Sequence, residues 1–401
     1  MNKKETWYQK LHRKRRLYNV SQEKIASLVG ISRPYLSEIE NGKAIPSPSL
    51  QEAIENVVEQ CNPESPMELL FDYVRIRYPT IHVKHIIEDV LKLKQKYMLH
   101  EDYGYYGYSS HYRIGDVVVM SSLDQEKGTL LELKGRGCRQ MESYLLGQGR
   151  SWYDFFQSSI EEDCAFKRID LAINDKTGIL DIPELADKCQ KEECISVFRS
   201  FKHYRSGEFL RKDEKDHMGN TLYIGSFNSE LYFCLYQKDI EQEVKSGIPV
   251  DESDVKNRFE IRLKNERAKN AVRDLILYRD AERTAFTIIN RYLRFVDKLD
   301  NTERENWKLN PNWLHFIGEQ RGQLRLSSKP QKYSIERTCH WLRKQSAPSL
   351  KLVLKLDELM GTGIGQSMIE NAKLSPRQEK ILIQLALPLE ELIIQEKEEN
   401  I

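Results

Sequence analysis

The spacing of hydrophobic residues changes near residue 60, and the predicted secondary structure changes with it. Before that point apolar residues recur at helical spacing and predict an amphipathic helix from about Glu5 to Tyr18 and two short helices, Gln22–Val29 and Arg33–Glu40. Ser21 and Ser32 stand where the N-caps of the short helices are needed. The predicted turn and core positions are Gly30, Ile25, Val29, Ile31, Leu36 and Ile39. Residues 1–60 should therefore form a small all-α domain.

After a proline-rich linker at 61–66, short alternating segments predict a sheet with helices between its strands. The predicted strands are Leu69–Tyr78, Tyr112–Met120, Gly128–Leu133, Phe166–Ile173, Leu222–Ile224, Leu231–Leu235 and Asn257–Leu263. The predicted helices are Ile81–Lys96, Gln140–Leu146, Trp152–Glu161 and Ile182–Lys188. This mixture is typical of an α+β domain with an antiparallel sheet, placed here at residues 67–280.

Residues 281–401 return to helical spacing and predict a mainly helical C-terminal region. Its predicted helices are Ala281–Leu299, Trp313–Gln320, Ser334–Lys344, Leu350–Met360 and Pro376–Leu387. The fold class expected for the whole chain is therefore α+β multidomain, with an all-α N-terminal domain, a central antiparallel-sheet domain and a helical C-terminal region.

Charge and cysteine content narrow the functional classes. The formal net charge is only +1, so a nucleic-acid site has to be a local patch. Residues 1–50 supply one, with ten lysines and arginines against four acidic residues. The seven cysteines form no C-x-x-C pair, and no apolar run approaches the length of a membrane span. We therefore expect a cytoplasmic protein with reduced thiols and no membrane insertion.

Several polar side chains interrupt apolar strands, where they are costly unless they are paired or functional. Tyr236 ends one predicted strand, and alternation would place Lys238 on the same face. Asp170 and Glu260 interrupt two others, and Glu142 opens a helix. Structural arginine–carboxylate pairs would explain any one acid, whereas three acids and a tyrosine favour a site for a hard divalent cation.

The run from Ser21 to Lys43 resembles the helix-turn-helix domain of phage repressors. In that family the third helix enters the major groove of DNA, and a glutamine that opens the second helix touches backbone and base. The resemblance implies duplex contacts from exposed positions of this segment, namely Gln22, Ser32, Arg33, Tyr35, Ser37 and Lys43. A bundle used only for protein contact is the alternative.

Four segments resemble the successive motifs of one enzyme family, the rolling-circle replication initiators of Gram-positive plasmids (the Rep_trans group) and the related MobT relaxases. These segments are Lys134–Arg139 with Glu142, Arg168–Asp175, Tyr223–Ser226 with Tyr236–Lys238, and Arg258–Arg262. Joined to a repressor-like domain, they are similar to relaxases of Gram-positive conjugative transposons. The resemblance implies a DNA nicking–joining transesterase that starts conjugative transfer through a 5′-phosphotyrosyl intermediate.

By motif position, the resemblance makes Tyr236 the nucleophile. Asp170, Glu142 and Glu260 would hold Mg²⁺ or Mn²⁺, and no other cofactor is implied. A free phenol has a pKa of about 10, so some activation is needed. The cations that could lower this pKa or neutralise phosphate oxygens are Lys238, Arg168, Arg258 and Arg262.

Other functions and partners stay open at this stage. The same chemistry would serve plasmid replication, and the N-terminal domain alone would also suit a non-catalytic transcriptional repressor. The expected partner is origin-of-transfer DNA, as a duplex at the N-terminal domain and a single strand at the active site, with a coupling protein, a helicase and accessory DNA-binding proteins as further candidates. Tyr103–Tyr108, rich in tyrosine and glycine, is either a base-stacking loop or a simple hairpin tip.

Overall fold

The computed structural model describes residues 6–17, 20–61, 67–205, 219–246, 248–318 and 345–395, with 326, 330–331, 334–335, 339, 342–343 as isolated additions. The predicted linker at 61–66 lies outside these residues except for Cys61. Most of the helix predicted at Ser334–Lys344 also lies outside them.

Four helices form the N-terminal domain: α1 (Trp7–Leu17), α2 (Gln22–Val29), α3 (Arg33–Glu40) and α4 (Pro48–Gln60). The side chains of Ser21 and Ser32 accept hydrogen bonds from backbone N–H groups in the first turns of α2 and α3. Gly30 ends α2 with φ +82°, a left-handed conformation that glycine adopts without strain. The domain has an apolar core of its own. The all-α prediction is therefore confirmed, with α2 and α3 at their predicted bounds.

Within the described residues, ten antiparallel strands form one central sheet in the order β2-β3-β4-β5-β1-β6-β11-β10-β9-β8. Along the chain they are β1 (Met67–Tyr78), β2 (Leu99–Glu101), β3 (Ser110–Ile114), β4 (Val117–Ser121), β5 (Thr129–Lys134), β6 (Ala165–Asp175), β8 (Phe201–Arg205), β9 (Asn220–Ile224), β10 (Leu231–Gln237) and β11 (Asn257–Lys264). A smaller sheet has the order β13-β12-β7 and contains β7 (Cys194–Ser196), β12 (Leu293–Asp297) and β13 (Lys308–Leu309). The predicted antiparallel sheet is thus confirmed.

Helices surround the large sheet, and most of them cover its apolar face. After α5 (Val83–His85) and the π-turn Ile86–Val90 come α6 (Arg136–Gly147), α7 (Trp152–Glu161), α8 (Ile182–Gln190), α9 (Lys238–Ser246), α10 (Asn265–Tyr278), α11 (Ala281–Tyr292) and α12 (Pro311–Ile317). Further helices lie at Ala347–Met360, Ile364–Glu370, Pro376–Ala386 and Leu389–Leu392, and single 3₁₀ turns at Gln95–Tyr97, Val250–Glu252 and Arg304–Asn306. One continuous apolar core runs from β1 to Ile393 and includes Phe286 and Trp313 from the C-terminal region.

Three predicted elements differ from the structure. The strand predicted at Tyr112–Met120 is the hairpin β3–β4, because Gly115 turns the chain with φ +57°. The helix predicted at Ile81–Lys96 is broken into short turns. The helix predicted at Ala281–Leu299 ends at Tyr292, where the alternating residues of β12 begin to pair with β7.

Candidate active site

Strand alternation gives the large sheet one apolar face and one polar face. On β6 and β11 the apolar side chains, such as Leu171 and Ile261, are buried in the core, while the residues between them are charged or polar apart from Ala172. Tyr236 of β10 lies opposite Arg258 of β11, and Arg262 of β11 lies opposite Asp170 of β6. The pairing register therefore gathers polar residues that are distant in sequence onto adjacent strands.

The Tyr236 hydroxyl donates a hydrogen bond to Glu260 Oε1 at 2.8 Å. Arg258 Nη1 lies 3.9 Å from the same oxygen and 2.9 Å from Asp72 Oδ1. Burial raises the pKa of the Tyr236 phenol well above its usual value, and the charge of Glu260 adds to that rise, although Arg258 opposes it. The phenol is thus neutral at physiological pH, and a carboxylate already accepts its hydrogen.

Lys238 does not continue the strand, which corrects its predicted placement. Strand β10 ends at Gln237, and Lys238 begins α9, where its ammonium group pairs with Glu241 one helical turn later. The ammonium nitrogen still lies 5.5 Å from the centre of the Tyr236 ring. Lys238 therefore stays beside the tyrosine, but the start of a helix, and not strand alternation, places it there.

Asp170 and Glu260 are joined through arginines. Arg168 donates to both Asp170 oxygens, at 2.9 and 2.6 Å, and Arg262 donates to Glu260 Oε2 at 2.7 Å while its Nε lies 3.9 Å from Asp170 Oδ2. Burial raises the pKa of Asp170 to about 6, which Arg168 only partly offsets. Two carboxylates thus share a small region of the polar face with two guanidinium groups.

Glu142 is placed elsewhere. It is fully buried on α6, where Arg139 Nη2 and Trp152 Nε1 approach its Oε1 at 2.9 and 3.1 Å. Trp152 packs on Phe71 in the apolar core, so these contacts hold Glu142 in the helical layer. Across the described ranges, no three His, Cys, Asp or Glu side chains are grouped so that they could hold a metal ion. The structure does not bring Glu142 together with Asp170 and Glu260.

Asp72 is a site residue that the sequence analysis missed. The register between β1 and β6 slips at this residue, so Asp72 forms a bulge and reaches Arg258. Although burial opposes ionisation, the charge of Arg258 holds the pKa of Asp72 below its usual value. An acid that directly follows the apolar run Leu69–Phe71 was the available signal.

A cleft of about 400 Å³ opens beside Tyr236. Its lining includes side chains from both neighbouring strands and from α9, among them Tyr223, Tyr236, Glu241, Lys245 and Arg262. The phenol and cationic groups therefore border a space that a nucleotide could enter.

The predicted duplex-contacting residues lie on and around α2 and α3. Gln22 and Arg33 line an open cleft of about 520 Å³ together with His12 and Arg15. The Gln22 amide donates to buried Glu40 at 2.7 Å. The remaining candidates are exposed or half-buried: Ser32, Tyr35, Ser37 and Lys43. Ser32 has a structural task as well, because it caps α3.

Comparison with known proteins identifies the family. Residues 164–369 match the replication initiation factor family, more than half of the chain. The chain belongs to this family. Residues 68–158 match the N-terminal domain of rolling-circle replication initiation proteins, and residues 11–59 match a helix-turn-helix family. The predicted family and class of enzyme, together with the helix-turn-helix assignment, are confirmed.

Two individual proteins are similar over most of their length. NicK of Bacillus subtilis (strain 168), described as a candidate DNA relaxase, is 43% identical over 320 residues, which are 80% of this chain and 90% of that protein. A solved structure of a rolling-circle replication initiator protein from Geobacillus stearothermophilus superposes with a TM-score of 0.55 at 22% identity, covering 66% of this chain and 99% of that one. The second likeness bears on the fold alone. Among the described residues, none of the helices combines the length and apolar composition needed to cross a membrane.

Proposed function

We propose that this protein is a DNA relaxase that nicks one strand of a transfer origin and becomes joined to the 5′ end through Tyr236. The observation that carries the proposal is the hydrogen bond from the Tyr236 phenol to Glu260, beside Arg258, in a chain of the replication initiation factor family. The 43% identity to a protein described as a relaxase favours transfer over replication.

In the proposed reaction the Tyr236 oxygen attacks the scissile phosphorus while its proton passes to Glu260. A phosphotyrosyl bond forms, the bond from phosphorus to the 3′ oxygen breaks, and that oxygen leaves and takes up a proton. Glu260 Oε1 is within hydrogen-bond reach of the phenol, as a general base must be. Because the phenol has a raised pKa, proton removal has to accompany the attack.

Charge on the phosphate is proposed to be met by the cations around the phenol. Arg258 and Lys238 lie next to Tyr236, while Arg262 borders the adjoining cleft and Arg168 lies one strand farther away. Guanidinium groups match phosphate oxygens in two-point contacts, so Arg262 is suited to hold the phosphate that the phenol attacks.

A divalent cation fits two of the three predicted ligands. Asp170 and Glu260 offer hard oxygen donors on neighbouring strands, and the raised pKa of Asp170 reflects a site where added positive charge would favour ionisation. Mg²⁺ often uses only one or two carboxylates together with water and substrate phosphate. Asp170 and Glu260 would hold such an ion, which would supply Lewis acidity to the phosphate; Glu142 is too far inside the helical layer to share it.

The N-terminal domain is proposed to bring duplex DNA to this face through α3. A replication initiator would use the same residues, whereas a non-catalytic repressor would have no need of a phenol, a base and arginines around one cleft. A coupling protein, a helicase and accessory DNA-binding proteins remain candidate partners.

The test is incubation of the full chain with supercoiled and single-stranded DNA from the transfer origin of its own element, with Mn²⁺ or Mg²⁺. We expect a covalent protein–DNA adduct at a 5′ end, lost in Tyr236→Phe and retained in Tyr223→Phe, a matched change in the same cleft. Normal adduct formation by Tyr236→Phe would overturn the assignment. Tight operator binding with no adduct under any metal condition would support the repressor.

A further inference from the structure

A second groove lies on the same polar face of the sheet. It is at the opposite ends of the strands from Tyr236. It has a volume of about 320 Å³, and we name it the tyrosine groove after its two exposed or half-buried rings. Its defining residues are Arg75, Arg77, Tyr106, Tyr108, Lys167 and Lys264. We infer that the tyrosine groove binds the single DNA strand several nucleotides from the bond that Tyr236 cleaves. The inference rests on the proposed function, since it adds a binding site for the same substrate.

The charges of the groove suit a phosphate backbone. Four cationic side chains come from three strands, β1, β6 and β11, and no carboxylate is among the residues that line the groove. The Nε atom of Arg75 is buried and has no hydrogen-bond partner within the described part of the chain. A buried donor without an acceptor is costly, and a phosphate oxygen in the groove would satisfy it.

The rings of the groove suit bases. Tyr106 is 54% exposed, and its hydroxyl donates to Glu132 at 2.9 Å while Arg75 lies 5.1 Å from the ring centre. Its φ of +57° is uncommon for a bulky residue, and such strained conformations concentrate at functional sites. A ring held at its hydroxyl and open to solvent is a stacking surface for an unpaired base.

The loop that carries these tyrosines is fixed to the sheet. The Tyr108 hydroxyl donates to the carbonyl of Lys127 at 3.0 Å, and Lys127 Nζ donates to the carbonyl of Gly107 at 2.7 Å. Arg77 Nε also donates to the Lys127 carbonyl, at 3.0 Å. The rings therefore need little ordering on binding, which favours affinity.

Alternating cations and rings connect the groove with the Tyr236 cleft. Arg75 lies 5.9 Å from the Tyr73 ring centre, Arg168 lies 4.2 Å from the same ring, and Arg262 beyond it lies 5.7 Å from the ring of Tyr232. Arg75 is in register with Lys264, six residues along β11 from the position opposite Tyr236. Three strand spacings of roughly 14 Å across the sheet and roughly 20 Å along the strand combine to roughly 25 Å. At about 3.4 Å per stacked nucleotide, that distance corresponds to about seven nucleotides.

The experiment measures binding of the full chain to a fluorescein-labelled oligothymidylate of about 20 nucleotides, longer than the site of one typical single-strand-binding domain. Fluorescence anisotropy is recorded over a series of salt concentrations with excess unlabelled duplex present to occupy the N-terminal domain. Tyr106→Ala should weaken binding at least about fivefold, the lower end of what one stacked base contributes. Tyr106→Phe keeps the stacking ring but loses the hydroxyl bond to Glu132, so it should weaken binding less than Tyr106→Ala. Lys167→Gln should reduce the slope of log affinity against log salt by about 0.7.

Tyr105→Ala is the matched control, because Tyr105 belongs to the same loop and is 52% exposed but does not line the groove. Unchanged binding by Tyr106→Ala, or equal weakening by Tyr105→Ala, would overturn the inference. Adduct formation by each variant is measured separately. If Tyr106→Ala loses oligothymidylate binding but the wild-type protein forms no adduct, the groove is supported and the relaxase function is contradicted. If the wild-type protein forms the adduct but Tyr106→Ala binds oligothymidylate normally, the relaxase function is supported and the groove is contradicted.

Discussion

Replacing Glu260 by glutamine tests whether this carboxylate accepts the proton of the attacking phenol. Glutamine keeps an oxygen that can accept from Tyr236 or Arg262, but it cannot take up a proton. A positioned general base typically contributes about 10²- to 10⁴-fold to a rate. We therefore expect Glu260→Gln to form the DNA adduct about 10²-fold or more slowly than wild type near neutral pH.

The pH dependence of the variant should also change. Burial is the largest cause of the raised pKa of Tyr236 and is unaffected by the substitution, whereas the smaller contribution of Glu260 is removed. The phenol therefore stays neutral near pH 7 but loses its internal proton acceptor. Without a base, the rate should depend on the phenolate fraction and rise about tenfold per pH unit in the alkaline range.

The assay is single-turnover adduct formation on a labelled origin strand at saturating DNA, followed on denaturing gels across a pH series. Glu132→Gln is a matched control, because Glu132 also accepts from a tyrosine on the polar face but lies away from Tyr236. Wild-type rates in Glu260→Gln at neutral pH would refute the reasoning. Full rescue by excess Mn²⁺ at constant pH would refute it too, and would assign Glu260 to metal binding alone.

Three further predictions follow from the buried carboxylates. Glu142→Gln should lower the melting temperature, because it removes the charge that pairs with Arg139 in the interior, at a cost of about 1–3 kcal/mol. The Mn²⁺ concentration needed for nicking should not change. Asp170→Asn should raise that Mn²⁺ requirement while leaving duplex binding intact, as seen by metal titration alongside a mobility-shift assay. Burial raises the pKa of Glu40, but hydrogen bonds from Arg15 outweigh it, and the pKa is lower than usual. The ionised Glu40 therefore stabilises the fold above about pH 4, and this stabilisation is lost as the pH falls below that value. The stability of Glu40→Gln should therefore fall less steeply with decreasing pH than that of wild type. Its affinity for duplex DNA should also fall, because Glu40 positions Gln22.

The N-terminal domain was the most predictable part because its signals are local. Ser21 and Ser32 bond to backbone groups three residues away, and Gly30 turns the chain at a single position. Such features are determined by neighbouring residues, so α2 and α3 could be predicted to the residue. The alternation on β6 and β11 likewise placed Asp170 and Glu260 on strands.

What could not be predicted depends on distant contacts. The position of the Glu142 side chain depends on its contacts with Trp152 and Arg139. These contacts depend in turn on how α6 and α7 pack on the sheet. Asp72 joins the site only because β1 slips by one residue against β6. The sequence allowed Lys238 either to continue a strand or to begin a helix. In the structure it begins α9, and its pairing with Glu241 is a contact within that helix.

The position of β11 has a consequence for when the protein becomes able to cut DNA. Strand β11 separates β6 from β10, and the two strands that carry Asp170 and Tyr236 share no ladder of their own. A nascent chain that ends before Asn257 can complete its helix-turn-helix domain but has neither Glu260 nor the strand that aligns the nucleophile. If the proposed function holds, a chain still being synthesised could bind a DNA site before it could cleave DNA.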